Sequence, residues 1–157
     1  MPVIDPSQID PVRGSALPVG LREAMEGRTQ WSVGEAGGLS QFGANLVELA
    51  PGAASALRHW HEQQDEFAVV ISGRPSLMDD RGEHPLNPGD MLAFPAGDPN
   101  GHHIVNRSDT PARFVVVGTN TPTETGHYPD HDLIIDIDGT GYRLSRTDGT
   151  PVEGETE

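Results

Sequence analysis

The chain has 157 residues, 24 Asp and Glu against 10 Lys and Arg, a formal net charge of −14 and no cysteine. Ten cationic residues in so acidic a background do not supply the patches that phosphate backbones need, which argues against nucleic acid as a partner. Without cysteine, thiolate zinc sites, disulfides and cysteine nucleophiles are excluded together, so any metal must sit on nitrogen and oxygen.

Residues 1–20 carry four prolines and no clear periodicity. They also lack the charged start and apolar middle of a signal peptide, and no run nears the roughly 18 apolar residues of a membrane span. A cytoplasmic protein with an N-terminal arm over 1–30 is expected, with at most a short helical turn at 21–27. From Trp31 the chain breaks into short apolar runs between turns, as 19 glycines and 14 prolines suggest. FGANLVEL at 42–49 reads as a strand, and 58–71 is long enough for two. A hairpin tip follows at 79–82 and a tight turn at 87–90. Strands are then predicted at 91–95, 102–106 and 112–118. The spacing is that of a sandwich or barrel, so one all-β domain is assigned to 31–120. Residues 121–157 read as a polar extension with strand-like patches at 133–137 and 141–145, disordered at its end.

Chemistry concentrates in RHWHEQQDEFAVVISG, Arg58 to Gly73. Side chains alternate across a strand, so His59 and His61 share a face and Trp60 takes the other. Glu66 then shares its face with Ala68 and Val70, leaving Phe67, Val69 and Ile71 outward. In GDMLAFPAGDPNGHHIVN, 89–106, the face of His102, Ile104 and Asn106 alternates with that of His103 and Val105. Two imidazoles, a carboxylate and a third imidazole from a distant strand make a donor set for a first-row divalent metal.

These two stretches resemble the paired motifs of the cupin superfamily, in its small single-domain form. The first motif runs Gly52, His59-Trp60-His61, Glu66 and Gly73. The second runs Gly89, Pro95-Ala96-Gly97, His102 and Asn106. The spacers Gly52–His59 and Gly97–His102 are one and two residues longer than usual, which sets His102 against His103 as fourth ligand. His102 is preferred because its alternation with Asn106 matches the family pattern. The resemblance spans about 39–118 and implies an all-β jelly-roll barrel, the double-stranded β-helix of cupins. It implies one divalent ion per chain (Fe, Mn, Ni, Cu or Zn) on His59, His61, Glu66 and His102, with Ala68, Val70, Ile104 and Asn106 shaping the cavity. It also implies a homodimer and a small oxygen-rich metabolite as ligand. The chemistry implied is isomerisation, elimination or oxygenation. A non-catalytic ligand or metal sensor is the alternative.

Other polar residues read as structural. Trp60 is expected to pack on a sheet, His84 to sit at the surface and Arg58 to point away from the metal. Glu62 and Asp65 read as turn carboxylates rather than bases. The cluster HYPDHDL, 127–133, is expected to be a connection whose Tyr128 packs on the barrel.

Overall fold

The computed structural model describes residues 3–15, 17–18 and 20–152. The strands are β1 Val12–Arg13, β2 Arg28–Trp31, β3 Phe42–Leu49, β4 Trp60–His61, β5 Glu66–Ser72 and β6 Ser76–Asp79. They continue as β7 Gly82–Pro85, β8 Met91–Phe94, β9 His103–Val105, β10 Ala112–Thr119, β11 Glu124–Tyr128, β12 Leu133–Asp138 and β13 Gly141–Ser145. A single helical turn, α1 Val33–Ala36, precedes β3, and the short run at 21–27 holds a 3₁₀ turn at Glu23–Met25.

Six strands in the order β1-β2-β3-β10-β5-β8 form one wall. The other strands make two smaller sheets, β7-β6-β9 and β13-β12-β11-β4. These join at a bridge in which His59 N–H donates to the His102 carbonyl at 3.1 Å and His102 N–H returns the bond at 2.8 Å. The second wall therefore runs from β7 to β13 through the two histidines. This is the antiparallel jelly roll that the strand spacing predicts.

Alternation decides which residues enter the space between the walls. Cross-strand partners share a face, so the row Gln30–Val47–Phe114–Val70 points inward. So does the parallel row Asn45–Val116–Ala68. Val47, Leu49, Ala53, Ala68 and Phe114 pack with Ile104 of β9 to form the core that holds the walls together. Burying such side chains contributes about 1.5–3 kcal/mol each. Gly73 ends β5 at φ +79°, where a Cβ would lie 2.6 Å from Ala112 Cα. Only glycine fits that turn.

Three expectations are revised. Asn106 does not shape the cavity: its Nδ2 donates to the carbonyls of Leu49 (2.9 Å) and Thr110 (2.8 Å), and its Oδ1 accepts from Ser108. It ties the loop after β9 to β3, because a fully buried amide must have its hydrogen bonds met. Residues 28–30, placed in the arm, form β2 together with Trp31, between β1 and β3 of the large wall. The extension from 121 is structural rather than peripheral, since β11 pairs directly with β4. β12 and β13 fall on the two patches read from sequence, and the end of the extension, 153–157, lies outside the described residues. Among the described residues no helix is long and apolar enough to cross a membrane.

Candidate metal centre

The predicted ligands lie at the ends of three strands, β4, β5 and β9. His59 leads into β4, His61 ends it, Glu66 opens β5 and His102 precedes β9. The imidazole Nε2 atoms of His59, His61 and His102 lie 3.9, 3.6 and 3.0 Å from one oxygen, Glu66 Oε2. Ligand atoms of His59, His61 and Glu66 all fall within 4.8 Å of one another. His102, not His103, turns toward Glu66. His103 places its Nδ1 2.8 Å from the Ala56 carbonyl.

The extra residues Asn100 and Gly101 are accommodated outside the site. Asn100 accepts from Asp80 N–H and donates to Asp79, which pins the loop to the β6–β7 tip and leaves His102 inward. Phe94 stacks on the His102 ring with centroids 3.6 Å apart and fixes its plane. Gly118 lies opposite Glu66 on β10, where a Cβ would stand 3.6 Å from Glu66 Cγ.

The electrostatics suit a cation. Burial and the neighbouring His102 push the His59 imidazole down to about 4, against the opposing pull of Glu66. It is therefore neutral near pH 7, with a free lone pair. Its Nδ1–H donates to the Leu57 carbonyl at 2.7 Å, so the Nε2 facing Glu66 is the one left unprotonated. Burial alone would raise the Glu66 carboxyl. The His102 hydrogen bond and the charges of the three histidines outweigh that and hold it at about 2.

His61 provides the test of fit. Its Nδ1 is buried and has no hydrogen-bond partner among the described residues, with Glu124 Oε1 3.6 Å away. A metal on Nε2 fixes the proton on Nδ1 and directs it at that carboxylate, the carboxylate–histidine–metal arrangement. Glu124 is itself held by the backbone N–H groups of Glu62 and Gln63. His59, His61 and Glu66 therefore form a group that could hold one divalent ion of the N/O-preferring kind.

A cupin domain model matches residues 45–118. Over 97% of both chains, the protein is 55% identical to a sugar phosphate isomerase of the cupin superfamily from Silicibacter pomeroyi, with a TM-score of 0.94. The chain belongs to the cupin superfamily. A second cupin-like structure, a putative sugar phosphate isomerase from Acidithiobacillus ferrooxidans, is 26% identical over 82% of this chain and 81% of its own, at a TM-score of 0.74. A polyketide cyclase from Streptomyces resistomycificus, 20% identical over 77% of this chain and 80% of its own at a TM-score of 0.61, shares the fold. A search of curated proteins finds no match.

In this cupin the residues set aside as structural stay outside the donor set. Trp60 stacks on His127 with centroids 4.0 Å apart. Arg58 pairs with Asp130 and Asp80. Glu62 bonds His127 at 2.7 Å and Asp65 accepts from Ala96 N–H. His84 pairs with Asp79 at 2.9 Å, with a side chain 44% exposed. The sequence reading missed Glu124, because nothing local marks it as the partner of a histidine 63 positions earlier. It named Tyr128 only as packing on the barrel, and its ring centroid lies 5.9 Å from that of His59. Asn45 was not singled out either, although its alternation with Val47 and Leu49 in the predicted strand is the signal that could have found it.

Proposed function

We propose that this cupin is a metal-dependent isomerase of a small sugar phosphate, with one divalent ion held by His59, His61, Glu66 and His102. The observation that carries the reading is the 55% identity, over 97% of both chains, to the isomerase from Silicibacter pomeroyi. The cavity beneath the histidines adds support. It measures about 190 Å³ and is lined by Arg28, Gln30, Asn45, Ser55 and His103 besides His59, Glu66, His102 and core residues. These polar groups are set into a mostly apolar wall, as in small-molecule sites generally.

When bound, the ion supplies Lewis-acid polarisation of a carbonyl or hydroxyl oxygen. Among the titratable side chains lining the cavity, His103 is an imidazole outside the donor set. Its Nδ1–H donates to the Ala56 carbonyl, which leaves the Nε2 lone pair to take the proton from the hydroxyl-bearing carbon beside the substrate carbonyl and return it to the carbonyl carbon, while the hydroxyl proton passes to the former carbonyl oxygen. Buried Phe114, Ala68 and Ile104 floor the cavity and keep water from competing.

Elemental analysis of untagged protein purified without chelator comes first, followed by NMR of aldose and ketose phosphates in D₂O. Expected are about one first-row metal ion per chain, interconversion, and deuterium at the carbon beside the carbonyl. No turnover and no exchange on tetrose to hexose phosphates with Fe, Mn, Ni, Cu or Zn restored would sink the isomerase reading.

The homodimer belongs to the same proposal. The outward rows Leu46–Val115–Val69–Met91 and Ala44–Val117–Phe67–Ala93 make the outer face of the large wall apolar as well. Met91 is 70% and Phe67 41% exposed. A sheet apolar on both faces is suited to being covered on both, and a second copy of this chain is the cover we assign.

A further inference from the structure

Ten cationic residues stand in this chain and all ten are arginines. Eight are exposed; only Arg28 and Arg58 are sheltered. Arg58 is neutralised by two carboxylates, those of Asp80 and Asp130. Arg28 has no ion pair among the described residues, although it lines the same cavity as His59, Glu66 and His102. A buried cation without a counter-charge is costly, by several kcal/mol in general, and is retained where something meets the charge.

The local geometry shows which donors are engaged. Arg28 Nη1 donates to the Gly14 carbonyl at 3.0 Å, and Nη2 donates to Gln30 Oε1. Gln30 passes the chain on to Asn45 Oδ1 at 3.2 Å. Arg28 Nε is buried and donates to nothing among the described residues. Register puts these residues on the inner face, since Arg28 pairs with Leu49 and Gln30 with Val47, both buried in the core. The carboxylate lining that cavity, Glu66, is already engaged by the histidines.

We propose that Arg28, positioned by Gln30 and Asn45, is the anchor for the phosphoryl group of the sugar phosphate, binding it at the end of the cavity away from the metal ligands. This rests on the isomerase reading for the sugar part of the ligand, but the anion site stands or falls by its own binding data. With a divalent ion on its ligands, the cavity carries more positive than negative charge, which a dianionic phosphate ester offsets. The guanidinium fork matches phosphate oxygens, and its free Nε–H is the donor a second oxygen meets. Arg28 binds here rather than taking part in proton transfer.

Calorimetric titration of the metal-loaded protein tests this with three probes: ribose 5-phosphate, ribose and gluconate. Expected is tighter binding of the phosphate ester than of the free sugar, with Arg28→Met weakening the ester by about 10- to 100-fold and leaving ribose unchanged. Melting temperature and metal content of the variant serve as controls, because Arg28 also holds Gly14. Arg28→Lys keeps the charge and loses the fork, so intermediate ester affinity is expected if Arg28→Met does not fold. Ester affinity unchanged in either variant overturns the anchor. Gluconate binding as tightly as the ester, with the same dependence on Arg28, overturns the phosphate assignment. A chain that binds the ester through Arg28 yet never isomerises it keeps the anchor and loses the isomerase reading; the reverse pattern separates them the other way.

Discussion

Replacing His59, His61 or Glu66 removes a donor from a set in which each other donor is already aimed at the same oxygen. His59→Ala and Glu66→Gln are expected to bring metal content, measured by elemental analysis, close to background. Glu124→Gln is the more informative substitution. It keeps the volume and weakens the acceptor for His61 Nδ1–H, so metal affinity is expected to fall by about 10- to 100-fold while the fold persists. Affinity unchanged in a chelator competition would show that Glu124 serves only the backbone of Glu62 and Gln63. Acid acts on the same residues. His59 lies at about 4 when folded against an ordinary 6.5, so the unfolded chain binds the extra proton first. Its stabilising effect is full above pH 6.5 and is lost as pH falls toward 4. Glu66, held at about 2 against an ordinary 4.5, extends the loss below that window. Urea midpoints of the metal-free protein are expected to drop progressively from pH 6.5 downward. A flat profile across that range would contradict the burial of a neutral His59.

At the scale of elements, the metal centre depends on strands far apart in sequence. β4 has two residues and pairs with β11, so its position rests on the C-terminal sheet. A chain ending at Thr121 lacks both that strand and Glu124. It is expected to lose most metal binding even where circular dichroism shows β structure retained; full metal content in the truncated chain would refute the role assigned to β11. β10 is central in another way, pairing with β3 on one side and β5 on the other. Phe114→Ala opens a cavity in the core beneath the site and is expected to cost about 3–5 kcal/mol in urea unfolding.

For the whole molecule, the outer face of the six-stranded wall sets the state of assembly. Light scattering is expected to give twice the chain mass, and Phe67→Glu is expected to give monomers without loss of metal. A monomeric wild type at micromolar concentration would leave that face without the cover assigned to it. The net charge of −14 adds repulsion between copies, so salt is expected to strengthen the dimer.

The jelly roll was legible in the sequence from short-range alternation and turn spacing, and the candidate donors from the resemblance of two stretches to paired motifs. Two-residue alternation puts His59 with His61, and Ala68 with Val70 behind Glu66; glycines at 52, 73 and 89 mark the turns between strands. What is local in the chain can be read along it. The structure alone decided which residues answer those donors. Glu124 under His61, Phe94 against His102, Asn106 as a loop tie instead of a cavity wall, and Arg28 as a sheltered unpaired cation all depend on strands distant in sequence meeting across a wall. No local pattern records such a meeting, because it is fixed by how the two walls close on each other and which polar groups are then left without water.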